Sequence, residues 1–454
     1  MNKLTTLALA GLVAVAATAS ASMSRVAGFG AASSFIADVQ NIWTLPAVVA
    51  NYKNSTYIEF GKTTNGFDSG EQWGFDSNQT GSNGTAFLFQ DLAPSTPWGG
   101  VHMELGPGVL GVWMNRPYHG NDFSATGFQF GTPTNSGIAS SSQVTPNQTA
   151  DILYGYNLSD ATTLGLSLSR AVYYGGTKTE SPAGTTDNNR DFSDYGIGLG
   201  LDQKNLGPIA LLEVGLNINM KSQTNTNKNS TVTDKFTRNG SNVAIRVGGD
   251  FAGDKGAFGR AELGLAMGGQ TIKDEAQTAP PANTYSEAKD SNLNYNLGYA
   301  MGKSSDKGMG LAGLMFRSNS FSGDAPWNSG NDSNKVTFSE MRLELSTAGE
   351  AKLNNWLAVR AGFASDLFYS YSKVLEVTAG GNTTKTTNSQ NERWNAGGPF
   401  NYNNLAKATL GTSVTLGDLV IDGVLNQDLL YTGGYLLSGV PGVLSTQVSA
   451  TWGW

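Results

Sequence analysis

Cysteine is absent from this chain of 454 residues, and histidine occurs only at His102 and His119. The lack of cysteine excludes a disulfide scaffold and a thiolate metal centre. Two histidines leave little material for a histidine-based metal or catalytic site. There is no G-x-S-x-G elbow and no H-E-x-x-H pair. We therefore expect no enzyme activity, no cofactor, no metal and no nucleic-acid partner.

Long apolar runs are also missing beyond the N-terminus, where no segment approaches the ~20 residues that a membrane-spanning helix requires. The N-terminus itself has Lys3, an apolar run from Leu7 to Ala17, and the A-x-A triplet that ends at Ala21. This pattern is typical of a secretory signal peptide. Residues 1–21 are predicted to be removed by cleavage before Ser22.

What the chain has instead is alternation of apolar and polar residues. Leu293, Tyr295, Leu297, Tyr299 and Met301 share one parity, and Asn292, Asn294, Asn296 and Gly298 occupy the other, which indicates a strand with one apolar face. The same pattern predicts thirteen strands near 148–158, 162–174, 194–202, 208–221, 237–251, 257–271, 291–302, 308–320, 334–347, 354–373, 404–416, 419–427 and 443–454.

The connections between these strands alternate between short and long, which is typical of an outer-membrane barrel with tight periplasmic turns and longer surface loops. Earlier candidate strands at 56–62, 85–90 and 98–115 bring the number to sixteen. Fourteen is the alternative if early pieces lie in a loop or inside the barrel. The predicted fold is thus all-β, a transmembrane antiparallel β-barrel over residues 55–454.

Charged residues within the strands fall opposite the apolar side chains. An Arg or Lys facing lipid at mid-depth would cost about 2–4 kcal/mol, so these charges are expected to line the pore. In a soluble sandwich the same face would contact solvent. The predicted pore-lining residues are Glu59, Glu213, Arg246, Arg260, Glu262, Glu340, Arg342, Glu344, Arg360, Lys407 and Asp422.

The last strand, VLSTQVSATWGW, has one apolar face and ends on Trp454. It resembles the closing strand of bacterial outer-membrane β-barrels of the porin-like type. That resemblance implies recognition by the barrel-insertion machinery, contact with outer-membrane lipid and lipopolysaccharide, and a bacterial outer-membrane location. Because porins commonly form trimers, a homo-oligomer is among the expected states.

Residues 34–54 contain the spacing D-x-x-x-I-x-x-x-P-A. This segment resembles the stretch before the first strand in barrels of the long-chain fatty-acid-transporter type, although Leu45 replaces the usual Asn. The resemblance implies a plug over residues 22–54, with Ile42, Trp43, Leu45 and Pro46 as plug residues. The alternative is a short periplasmic helix packed under the barrel. We refer to residues 22–54 as the N-terminal segment.

Three functions are compatible with these observations. Sixteen strands leave room for an aqueous channel, and interior charges of both signs favour passive diffusion of small polar solutes or ions through a porin-like channel. A plugged transporter for hydrophobic compounds is the first alternative. A structural or adhesive barrel that uses its long loops is the second.

Overall fold

The computed structural model describes residues 22–36, 38–61, 97–116, 148–181, 184–228, 233–277, 283–326, 333–379, 382–392, 407–425 and 445–454. Most of them form one antiparallel sheet. Its strands are β1 Ser55–Gly61, β2 Trp98–Leu105, β3 Gly108–Met114, β4 Gln148–Asn157, β5 Thr162–Ser181, β6 Gly184–Leu206, β7 Ile209–Lys228, β8 Thr233–Ala252, β9 Ala257–Gln277, β10 Asn283–Ser305, β11 Gly308–Pro326, β12 Ser333–Lys352, β13 Leu357–Ala379, β14 Asn382–Glu392, β15 Lys407–Leu416, β16 Leu419–Leu425 and β17 Ser445–Gly453.

The sheet closes on itself because β1 pairs with β17 on one side and with β2 on the other. β13 pairs with β14 along residues 369–379 and with β15 along residues 357–364. β14 and β15 therefore pair with successive parts of the same edge of β13, and together they occupy one strand position in the barrel. The seventeen described strands thus make a closed barrel with sixteen strand positions, which confirms the predicted fold class and the number sixteen rather than fourteen.

The individual strands differ from the prediction near the N-terminus. Residues 98–115, predicted as one strand, form the hairpin β2–β3, in which Gly106 takes a φ of +58° at the turn. The candidate strand at 85–90 lies outside the described residues. Among the described residues, the total of sixteen therefore includes two strands where one was predicted. A glycine-proline pair at 106–107 was the turn signal.

The strands of the central region are also longer than predicted. β5 to β13 have 19 to 23 residues each, and they extend from both sides into segments such as 175–193 and 222–236 that were predicted as loops. About ten tilted residues cross a bilayer, so each strand continues well beyond the apolar band on its long-connection side. Polar Asn and Thr side chains in these extensions concealed the strand pattern.

The outer face carries the apolar residues. On β10, Leu293, Leu297, Tyr299 and Met301 are 43 to 65% exposed, while Asn294 and Asn296 between them are buried. The same holds for Leu164, Leu166 and Leu168 on β5, and for Tyr195, Ile197 and Leu199 on β6. A continuous outward belt of exposed Leu, Ile, Tyr and Met is unfavourable in water and suits lipid. The fold is therefore that of a transmembrane β-barrel.

The N-terminal segment forms one short helix, α1 Met23–Ala27, and 3₁₀ helices at Gly30–Phe35, Val39–Trp43 and Pro46–Asn51. Ser22 caps α1 by accepting a hydrogen bond from the Arg25 amide, and the Asp38 carboxylate caps the Val39 amide. Pro46 occupies the first turn of its helix, where no backbone donor is needed. Within the described ranges, no helix is long and apolar enough to span a membrane.

The predicted division into residues 1–21, 22–54 and 55–454 stays a prediction. The signal-peptide residues 1–21 lie outside the described residues.

Candidate functional site

Ten of the eleven predicted pore-lining charges have described side chains, and these occupy the strand face opposite the outward apolar belt. Nine of the eleven are buried: Glu59, Glu213, Arg246, Arg260, Glu262, Glu340, Glu344, Arg360 and Asp422. Arg342 is half-buried, and its guanidinium lies 3.1 Å from Glu340 and 3.6 Å from Asp366. Lys407 is the first residue of β15, and its side chain lies outside the described part.

Most of these charges form ion pairs with charges on the same strand, the next strand or the second strand along the wall. Arg260 on β9 forms ion pairs with Glu213 on β7 and with Asp250 on β8, the latter at 2.8 Å. Arg246 on β8 lies 2.9 Å from Glu262 on β9. Burial of an unpaired charge is costly, so this pairing allows a charged inner wall at low exposure.

A second set of buried polar residues on the inner wall consists of asparagines. Asn217, Asn219, Asn242, Asn294 and Asn319 lie on β7, β8, β10 and β11 and are each 7% exposed or less. The pairing register places Asn294 directly beside Asn319, and Asn219 beside Asn242. Neutral carboxamides and paired ions thus line the same inner surface.

The N-terminal segment contacts the inner wall in three sectors of the barrel. Helix α1 packs against β15, β16 and β17, and the Gly30–Phe35 helix packs against β9, β11, β12, β13 and β15. The Pro46–Asn51 helix packs against β3, β4, β5 and β6. Because these strands lie on different sides of the ring, the segment extends across its interior.

Glycines of the wall allow the backbone of the segment to approach closely. A Cβ at Gly165 would collide with the backbone of Pro46 and Ala47, and one at Gly215 with the carbonyl oxygen of Thr44. At Gly313 the added atom would lie 2.6 Å from the Phe35 ring. Any larger residue at these inward positions would displace the segment.

The predicted plug residues Ile42, Trp43, Leu45 and Pro46 are all buried. The Trp43 ring lies 5.2 Å from Trp113 and 6.1 Å from Trp98, measured between ring centroids, and Ile42 and Leu45 belong to the same apolar cluster. The Arg116 guanidinium sits 4.8 Å over the Trp43 ring. A small hydrophobic core therefore joins the segment to β2 and β3.

His102 is part of this attachment. The Trp113 indole N–H donates to His102 Nε2 at 2.9 Å, and Nδ1 lies 2.9 Å from the Tyr52 carbonyl oxygen. Since Nε2 accepts, the proton is on Nδ1 and is donated to Tyr52. His102 is thereby a neutral structural residue. His119 lies outside the described residues.

A second apolar cluster fixes the other end of the segment. Phe29 and Phe35 are buried against Leu311 and Met315 of β11 and against Ala300 of β10. Polar contacts surround it. Arg246 donates to the Thr44 hydroxyl at 3.0 Å and to the Ser34 carbonyl at 3.2 Å.

A chain of ion pairs crosses from the segment to the wall. Arg25 contacts Asp38 at 2.5 Å and Glu350 of β12 at 3.4 Å. Arg360 of β13 then lies 2.5 Å from Glu350 and 2.7 Å from Asp422 of β16. Burial raises the pKa of Asp38 to about 6, and the nearby Arg25 acts in the opposite direction by favouring the carboxylate.

Sequence reasoning missed Arg25, Asp38 and Glu350 as members of this network. Arg25 and Asp38 are the only charged residues between positions 22 and 52. Two isolated and opposite charges in an otherwise uncharged stretch were the available signal. Glu350 lies in the predicted short connection near 350, which is in fact the end of β12.

Within the described ranges, no group of three or more His, Cys, Asp or Glu side chains is arranged to hold a metal ion.

No family model and no curated protein matches this chain. Among solved structures it is similar to a FadL homologue of Pseudomonas aeruginosa, at 13% identity and a TM-score of 0.35, with 94% of this chain and 98% of that chain covered. It is also similar to the copper transporter OprC, at 10% identity and a TM-score of 0.35, over 72% of this chain and 63% of that one. The FrpB iron transporter of Neisseria meningitidis matches at 9% identity and a TM-score of 0.30, over 90% and 84%. Likenesses this low do not carry a function or a family to this chain.

Proposed function

We propose that this protein is an outer-membrane transport barrel whose pathway is closed by the N-terminal segment. The observation that carries the proposal is the extension of residues 22–51 across the ring, with contacts to the inner faces of β3–β6, β9, β11–β13 and β15–β17. A sixteen-stranded barrel would otherwise leave an aqueous channel. The segment therefore acts as a plug, and transport requires its displacement.

The inner wall favours small polar solutes as the transported class. Its buried asparagines and paired ions offer neutral and charged hydrogen-bond donors and acceptors, as in water-filled channels with modest ion selectivity. Passive diffusion through a porin-like channel is thus retained for the opened state. This differs from a permanently open porin.

One observation favours the alternative, a plugged transporter for hydrophobic compounds. Trp98, Trp113, Leu311 and Met315 face inward and are covered by the segment. Displacement of the segment would expose these apolar side chains to the lumen. A hydrophobic solute could then bind where Trp43 or Phe35 now pack.

Removal of residues 22–51, with the signal peptide joined directly to Tyr52, tests the proposal. We expect the intact protein to be silent in planar bilayers and the deletion variant to show stepwise conductance. Addition of a synthetic peptide of residues 22–51 should lower this conductance again. Liposomes that contain the variant should admit a neutral sugar, whereas selective uptake of a fatty acid instead would favour the alternative solute class.

A recording from the intact protein is the measurement that could contradict the proposal. Stable conductance from the full mature chain, equal to that of the deletion variant, would show that the segment does not close the pathway.

A further inference from the structure

One arginine of the wall contacts two helices of the N-terminal segment at once. Arg246 lies on β8 and is 6% exposed. Its Nη1 group donates to the Thr44 hydroxyl at 3.0 Å and to Asn41 Oδ1 at 3.3 Å, and its Nη2 group donates to the Ser34 carbonyl at 3.2 Å. Ser34 belongs to the first 3₁₀ helix of the segment, whereas Asn41 belongs to the second and Thr44 ends it. A single guanidinium therefore joins both helices to the wall.

Hydrogen bonds within the segment hold the acceptors of Arg246 in place. Only three residues, 36–38, separate the two helices along the chain. The Asn41 side chain spans them, because its Nδ2 group donates to the Ile36 carbonyl at 3.3 Å while its Oδ1 atom accepts from Arg246. The Thr44 hydroxyl donates to the Asn41 carbonyl at 3.2 Å and accepts from the same arginine. The acceptors thus have a fixed arrangement that matches a guanidinium with several N–H donors.

The wall fixes the guanidinium from the other side. Glu262 of β9 is 2% exposed, and its Oε2 atom lies 2.9 Å from Arg246 Nη2. The residues beside Arg246 in the pairing register are Gly215 and Gly264. A Cβ at Gly215 would collide with the carbonyl oxygen of Thr44. The glycine thus lets the segment approach the arginine closely, and Glu262 sets the direction of its side chain.

We propose that Arg246 is a clamp that holds the first two 3₁₀ helices of the N-terminal segment together and against the wall, and that Glu262 is the positioning residue that orients it. Phe35 of the first helix packs on β10 and β11, and Trp43 of the second packs on β2 and β3. Loss of the clamp leaves these two attachments in place but allows the helices to separate. This inference rests on the proposed function, because a clamp affects transport only if the segment closes the pathway.

Arg246→Lys tests the clamp. Lysine keeps a positive charge beside Glu262, but its ammonium group cannot replace the planar set of donors that reaches both helices. We expect brief openings of the full mature chain in planar bilayers, where the parent is silent. These openings should be shorter than the steady conductance that we expect from deletion of residues 22–51, because both helices keep their own attachments.

Arg317→Lys is the matched control. The pairing register runs from Arg246 through Gly264 and Asn296 to Arg317, so both arginines lie in the same row across β8–β11. The Arg317 guanidinium lies 3.5 Å from the wall residue Glu344. We expect this variant to remain silent.

Substitutions of Glu262 test its role as a positioning residue. Glu262→Gln keeps an oxygen that can accept a hydrogen bond from Arg246 Nη2, whereas Glu262→Ala removes it. We expect Glu262→Ala to show the brief openings of Arg246→Lys and Glu262→Gln to stay nearly silent. Equal openings in both variants would overturn the assignment of Glu262 as an orienting partner.

Hydrogen exchange separates the clamp from the proposed function, since it does not require a pore. In detergent micelles, the amides of residues 34–44 should exchange about tenfold faster in Arg246→Lys than in the parent, as expected for the loss of a hydrogen bond to a charged group. Thr44→Val removes one acceptor without altering the wall and should have the same direction of effect, even where Arg246→Lys fails to fold. Arg317→Lys should exchange as the parent does.

The two ideas fail in different ways. Unchanged exchange at residues 34–44 in Arg246→Lys and in Thr44→Val would overturn the clamp, whether or not the deletion variant conducts. Faster exchange in these variants, with a deletion variant that stays silent, would support the clamp as an attachment and overturn the proposed closure of the pathway.

Discussion

Gly215→Val is expected to open the barrel to ions while leaving its wall intact. Gly215 faces inward on β7, and a Cβ there would collide with the Thr44 carbonyl oxygen and approach Leu45 Cδ2 to 3.1 Å. The same carbonyl accepts a hydrogen bond from the Asn217 side chain at 3.0 Å. A valine would therefore push residues 44–45 off the wall. Valine also suits a strand, so β7 itself should pair normally.

Two measurements check this expectation. Planar-bilayer recordings should show stepwise conductance from Gly215→Val and none from the parent. Trypsin should cleave after Arg25, the only basic residue between positions 22 and 52, because a displaced segment exposes this buried side chain.

Gly310→Val is the matched control. Gly310 is an outward-facing glycine of β11, and the nearest atom to an added Cβ is 3.9 Å away. We expect this variant to stay silent and to resist trypsin at Arg25. A folded Gly215→Val barrel that also stays silent would contradict the assignment of the segment as the closure.

Arg260→Met should be among the most destabilising single substitutions in the wall. Arg260 is 1% exposed and pairs with both Glu213 and Asp250. Loss of the guanidinium leaves these two carboxylates without this partner, and the Glu213 side chain is 2% exposed. Removal of one partner from a buried ion pair typically costs about 3–5 kcal/mol. The free energy of unfolding in urea, with the protein in lipid vesicles, measures the effect.

Lys385→Met provides the comparison, since Lys385 lies 3.1 Å from Glu376 with its side chain 60% exposed. Exposed pairs contribute about 0–1 kcal/mol, so this variant should unfold almost as the parent does. Equal, small losses in both variants would show that Arg260 faces a solvated space.

The closed barrel could be predicted from the sequence because its physical cause is local. Alternation such as Leu293 to Met301 assigns each residue to a face without knowledge of its neighbours in space. The strand extensions could not be predicted, because this local alternation is absent from them. Beyond the bilayer both faces are wet, so Asn- and Thr-rich stretches such as 222–228 lose the alternation although they remain hydrogen-bonded.

The site was less predictable because it depends on packing between distant parts of the chain. The alternation of residues along each strand assigned charges such as Glu213 and Arg260 to the inner face, but the sequence does not show which of these charges form ion pairs. The contact of Gly215 with Thr44, or of Phe35 with Gly313, follows only from the closed ring. Inward-facing glycines such as Gly165 and Gly215 lie against the backbone of the N-terminal segment, and no pattern in the sequence indicates this contact.

The central claim is that lipid surrounds the apolar outer face while the ionised and carboxamide side chains point inward. Since the natural chain has no cysteine, single cysteines can be placed from residue 293 to residue 301 on β10 and labelled with a fluorophore. In vesicles of brominated lipid, quenching is predicted at Leu293, Tyr295, Leu297, Tyr299 and Met301 and not at the positions between them. Uniform quenching along β10, or quenching by aqueous iodide at Leu297, would contradict the account.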